Sequence, residues 1–120
     1  MAAPSRPLAE VQILPSARLA DGGAAIVVRL RILCQPNGVD GIQWEGFAGV
    51  AQGDLSGWKE LTLDCDGRQH VQRVTIPVSA EPGTATFAPG PATVSVSILD
   101  ENTLTQHATD TRTVDVKAAG

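Results

Sequence analysis

The sequence predicts an all-β, two-sheet antiparallel sandwich of about seven strands, and three observations carry that expectation. Hydrophobic residues alternate with period two along most of the chain, as on a strand with one buried face. Twelve glycines and eight prolines recur throughout, which leaves a long helix no place to sit. The apolar runs are short and return at roughly the spacing of strands in a sandwich or barrel. A length of 120 residues fits a single domain over 1–120, with a flexible N-terminal segment 1–7 and a flexible tail 118–120.

Taken in order, Val11 and Ile13 supply a short first strand. The second, 24–34, reads Ile26, Val28, Leu30, Ile32 and Cys34 on one face and Val27, Arg29, Arg31 and Leu33 on the other. Gln35-Pro36-Asn37-Gly38 then turns the chain, because proline lacks a donor and Asn-Gly tolerates positive φ. In the third strand, 42–52, Ile42, Trp44, Ala48 and Val50 share the inward parity. The fourth, 58–65, brings Leu61, Leu63 and Cys65 together, and Asp66-Gly67 reads as a two-residue hairpin turn. The fifth, 70–79, turns Val74, Ile76 and Val78 inward. His70 and Gln72 share that parity and fit poorly, so a bulge is expected there. A Pro/Gly-rich loop covers 80–91. Ala92, Val94, Val96 and Ile98 alternate cleanly in the sixth strand, 92–99. A polar connection, 100–107, leads to the last strand, 109–116, with Val114 and Val116 inward.

Nine basic against thirteen acidic residues leave a net charge of −4, and Lys59 and Lys117 are the only lysines. That excludes the broad basic footprint of a nucleic-acid binder or a polybasic membrane anchor. No apolar run approaches the ~20 residues needed to cross a bilayer, so neither nucleic acid nor membrane insertion is expected. Arg29 and Arg31 share an outward face, read as exposed ion pairs with Glu10 or as a phosphate or sulfate patch. No signal peptide follows Met1 directly. Ala2-Ala3-Pro4-Ser5 instead resembles the small-residue start left by cleavage, which points to a secreted or extracellular protein.

Cys34 and Cys65 are the only cysteines, and two readings compete: one disulfide, or two buried thiols. Paired cysteines in small β domains are generally bridged. Zinc needs about four ligands, and the sequence has no C-x-x-C or H-x-x-x-H spacing. There is also no P-loop and no G-x-G-x-x-G, so no cofactor is expected.

A cysteine ending the second strand and a tryptophan ten positions later, Cys34…Trp44, resemble an immunoglobulin-like sandwich. The segments 63–70 and 89–94 are similar to those of small secreted bacterial immunoglobulin-like domains of unknown function. The likeness covers roughly 24–117 and implies no chemistry. Cys65 departs from antibody-type domains, whose second cysteine lies in the sixth strand of this count. With that topology, both cysteines end strands at one pole, and a bridge closing about 30 residues would contribute roughly 3–4 kcal/mol.

The same pole gathers Asp40 in the second-to-third loop, Asp66 in the fourth-to-fifth turn, and Asp100 and Glu101 in the sixth-to-seventh loop. Calcium takes such hard oxygens, but Asp64-x-Asp66-Gly67 does not continue as a calcium loop, so no metal is assigned. Gly53-Asp54-Leu55-Ser56-Gly57 is not a nucleophile elbow, and His70 and His107 read as solvated side chains. The expectation is a non-catalytic binding or adhesion module, with Asp40, Asp66, Asp100, Glu101, Asn102, Leu104 and His107 as candidate contacts. Its partner would be a protein or a cell-surface glycan. Phe47 and Trp58 have outward parity and form a second, aromatic candidate. The alternatives are a self-assembling subunit that adds residues 7–14 to a neighbour's sheet edge and, more distantly, a hydrolase.

Overall fold

The computed structural model describes residues 8–79 and 85–118. The expected flexible segment 1–7, the tail residues 119–120 and the first five residues, 80–84, of the expected 80–91 loop lie outside them. Eight strands run in chain order: β1 Ala9–Ile13, β2 Ser16–Ala20, β3 Ala25–Cys34, β4 Trp44–Gln52, β5 Leu55–Leu61, β6 Gln69–Pro77, β7 Gly90–Asp100 and β8 Gln106–Lys117. The fold is an all-β sandwich. One layer orders β1–β3–β6 and the other β8–β7–β4–β5, with β2 joining them.

The core is built by the alternation read from the sequence. Ile26, Val28, Leu30, Ile32 and Cys34 of β3 are buried against Ala92, Val94, Val96 and Ile98 of β7 and Val114 and Val116 of β8. Branched residues dominate these strands because they fit a half-buried pleated surface. Ala48 and Val50 of β4, Leu61 of β5, and Val74 and Ile76 of β6 complete the buried set.

Three features differ from the sequence expectation. The single first strand is two, broken at Leu14-Pro15, and β2 changes partner along its length. Arg18–Ala20 pair antiparallel with β3, while residues 16–18 pair parallel with residues 115–117 of β8. The sheet is therefore not wholly antiparallel. Ala17 is the buried side chain of β2, too small to raise a hydrophobic signal. Asp66-Gly67 is a turn but not a hairpin, because β5 pairs β4 while β6 pairs β3, so this connection crosses between layers. No bulge interrupts β6, which stays in register from Ala25↔Pro77 to Leu33↔Gln69; the register shifts instead between β7 and β8, where Ile98 and Leu99 face Ala108 and Gln106 and His107 is the extra residue. His70 and Gln72 keep inward parity and are half-buried, and Gln72 helps line an opening between β5 and β6. β1 pairs with β3 alone among the described strands, so it is an edge strand of its layer. Pro7 of the expected assembly segment lies outside the described residues.

One core residue had no place in the alternation. Phe87 lies in the loop before β7, is 2% exposed, and donates its backbone N–H to Gly23 O at 2.8 Å.

Candidate functional site

Three connections meet at one pole of the sandwich, as expected, and each is fixed by a different device. Cys34 and Cys65 form a disulfide with Cα atoms 4.7 Å apart, which ties the end of β3 to the β5–β6 connection. Gly67 N donates to Cys34 O at 2.8 Å beside it. Gly67 has φ 81°, and a Cβ there would approach Gln35 Oε1 to 3.1 Å, so both backbone and space favour glycine.

The β3–β4 connection is held by Trp44. Its indole N–H donates to Gln35 O at 2.8 Å, its backbone N–H donates to Asn37 Oδ1 at 2.9 Å, and its ring meets His107 edge-on at 5.2 Å. These contacts leave Trp44 half-buried at the core margin, not inside it as its parity predicts. His107 is correspondingly a packed ring rather than a freely solvated one.

The β7–β8 connection is organised by Asp100, and here the structure corrects the sequence reading. Asp100 is 6% exposed and turns inward, unlike the outward side chain expected of a loop acid. The carboxylate accepts Gln43 N–H at 3.2 Å, Asn102 N–H at 3.1 Å and the Thr103 hydroxyl at 3.2 Å. Asn102 N–H foremost holds its pKa below the usual carboxylate value, against the opposing effect of burial. Glu101 N also donates to Gln43 O at 2.8 Å, and Asn102 Nδ2 reaches Gly41 O at 3.5 Å, so this loop and the β3–β4 loop form one surface.

On that surface stand Leu104, 72% exposed, and Val39, 40% exposed, beside exposed Asp40, Glu101 and Asn102. Val39 was not among the sequence candidates; a lone valine after a turn carries no pattern. Leu104 and Asp40 have φ of 59° and 55°, a region that branched or bulky L-residues rarely adopt. Leu104 N–H donates to Asp100 O at 2.7 Å, which fixes that conformation.

Asp66 lies at the disulfide side of the pole. It accepts Arg68 N–H at 2.8 Å and lies 2.9 Å from His70 Nε2. An ionised carboxylate only accepts, so Nε2 carries the proton. The bond from His70, then that from Arg68 N–H, keeps Asp66 below its ordinary pKa. Asp64 Oδ2 is 3.7 Å from the same nitrogen. Asp64, Asp66 and His70 are the donor set among the described residues that has the types and spacing to hold a metal ion, within 4.8 Å. His70 thus belongs with Asp66, a pairing that its inward parity and four-residue spacing could have signalled.

The aromatic candidate lies elsewhere, on the outer face of β4 and β5. Phe47 and Trp58 rings are 6.0 Å apart and tilted by 58°, with Trp58 61% exposed. Among the described residues no helix is long and apolar enough to cross a membrane. Comparison with known protein families, with curated proteins and with solved structures finds no match to this chain.

Proposed function

We propose that the protein is a secreted, non-catalytic binding module of immunoglobulin-like type, and that it meets a partner protein through the loop pole. The carrying observation is the pair Val39 and Leu104, held outward on two loops that are hydrogen-bonded to each other. Exposed apolar side chains on fixed backbone lose little freedom on binding, and loops on a rigid scaffold commonly carry recognition. An apolar pair rimmed by carboxylates and amides suits a protein surface. Strands β1, β3 and β6 in one layer and β4, β7 and β8 in the other support the immunoglobulin-like reading. The disulfide is compatible with an oxidising, extracellular location.

Leu104→Gly tests this reading, because glycine accepts the positive φ and removes only the side chain. Labelled protein should bind saturably to cell-surface protein fractions, and Leu104→Gly should fold normally yet bind far less. Undiminished binding by this variant would reject the loop pole. A second reading rests on the Phe47–Trp58 pair, whose exposed rings suit a sugar face. Loss of glycan binding in Trp58→Ala, with Leu104→Gly unaffected, would favour it.

A further inference from the structure

The outer face of the β2–β3–β6–β8 region holds a groove of about 410 Å³ lined by Ser16, Arg18, Val27, Arg29, Arg73 and Lys117. Four of the nine basic residues of an acidic chain converge there. The strand registers make the convergence specific. Arg29 stands directly opposite Arg73, and Arg18 directly opposite Lys117. Like charges facing each other across a ladder destabilise it, so two adjacent pairs of this kind work against folding. Among the described residues, no carboxylate forms an ion pair with any of the four; the nearest by register is Asp115, opposite Ser16. Arg31, on the same face, is engaged instead with Gln12 Oε1 at 3.0 Å, and Glu10 faces Leu33, so the expected Glu10 ion pairs do not form.

We propose that this groove binds a sulfate or phosphate ester carried on a sugar or polyol. A bound oxyanion would convert both repulsive pairs into shared ligands. Guanidinium groups match the oxyanion with paired N–H donors, and the Ser16 hydroxyl adds another. The volume suits an ester group together with part of its ring, and half-buried Val27 supplies an apolar floor. Four cations in one groove are too few and too local for a nucleic-acid track, which needs a stripe of charge. The groove lies toward the end of β8, away from the loop pole, so it goes beyond the function proposed above and does not depend on it.

Backbone amide shifts of the full chain should be followed during titration with inorganic sulfate, inorganic phosphate, glucosamine 6-sulfate and glycerol 1-phosphate. Saturable shifts confined to β2, residues 27–29, Arg73 and Lys117 are expected, weakening as salt rises. The tighter of the two esters identifies the source of the oxyanion. Arg29→Gln/Arg73→Gln and, separately, Arg18→Gln/Lys117→Gln should each weaken binding by about tenfold or more. Both variants should melt at or above the wild-type temperature, because each removes a repulsion. Lys59→Gln, outside the groove, should bind like wild type. No saturable shift with any probe, equal weakening by Lys59→Gln, or a lowered melting temperature in both double variants would overturn the proposal.

Discussion

At the loop pole the two layers are joined by side chains, the Cys34–Cys65 disulfide and the Trp44 indole, while the Asp100 carboxylate ties the β7–β8 loop to the start of β4. At the opposite end they are joined by backbone. Gly57 bridges Val78, Ser79 N–H donates to Ser56 O at 2.8 Å, and a Cβ on Gly57 would collide with the Pro77 carbonyl oxygen. Gln52 serves there as a mock backbone, bonding both the N–H and the C=O of Ala88 at 2.8 Å. Side-chain cross-links leave the loop backbone free to hold Leu104 and Asp40 at positive φ, whereas close backbone contact admits nothing larger than glycine. Of the three non-glycine residues at positive φ among the described residues, Asp40 and Leu104 lie at the cross-linked end and Asp21 at the other.

The largest loss of stability is expected at the disulfide. Cys65→Ser should lower unfolding free energy by roughly 3–4 kcal/mol, measured by denaturant titration, since about 30 residues lose their closure. A change under ~1 kcal/mol would mean the hydrogen bonds alone hold the pole. Trp44→Ala should follow at about 2–3 kcal/mol, less than a fully buried tryptophan because the ring is half-buried. At the other end, Gly57→Ala should cost about 1–3 kcal/mol through overpacking, with the loss of protection from hydrogen exchange confined to β5 and the end of β6. An unchanged variant would show that this contact is looser than its geometry.

Acid sharpens the same contrast. Asp66 and Asp100 have depressed pKa values in the folded protein, so their stabilisation is present above the unfolded value of about 3.9. It is lost as pH falls through the lower folded values. Amide shifts and exchange rates of the loop pole should therefore respond below about pH 4 while those around Gly57 do not, and Asp100→Asn should blunt the response. The smallest effects are expected from Leu104→Gly and Trp58→Ala, each within about 1 kcal/mol by thermal melting, because both side chains are exposed.

Legibility in the sequence follows how much of an element's environment its own residues determine. β3 and β7 are long, branched and strictly alternating, so both their existence and their inward faces could be read. β2 could not, because its partners lie in two layers and its inward residue is an alanine. Asp66-Gly67 announced a turn, but which strands it joins depends on pairing between distant segments. Asp100 continues the inward parity of Ala92, Val94, Val96 and Ile98, yet its neighbours made it look like a surface loop acid. The gathering of loops at one pole was legible from strand direction alone. Phe87 and the groove of Arg18, Arg29, Arg73 and Lys117 exist only once the register is known.

The switch of β2 from β3 to β8 has a mechanical consequence. β1 begins beside Cys34 at the loop pole, whereas β8 ends at the opposite pole next to β2. Tension between the two ends of the described chain therefore pulls β2 and β8 along their own length in opposite directions. Their parallel hydrogen bonds, from Ser16↔Asp115 to Arg18↔Lys117, are loaded together in shear instead of opening one at a time. Under load this short ladder acts as a clasp between the layers, so resistance to stretching is set by the unfolding rate through its rupture, a quantity that heat or denaturant equilibria do not report.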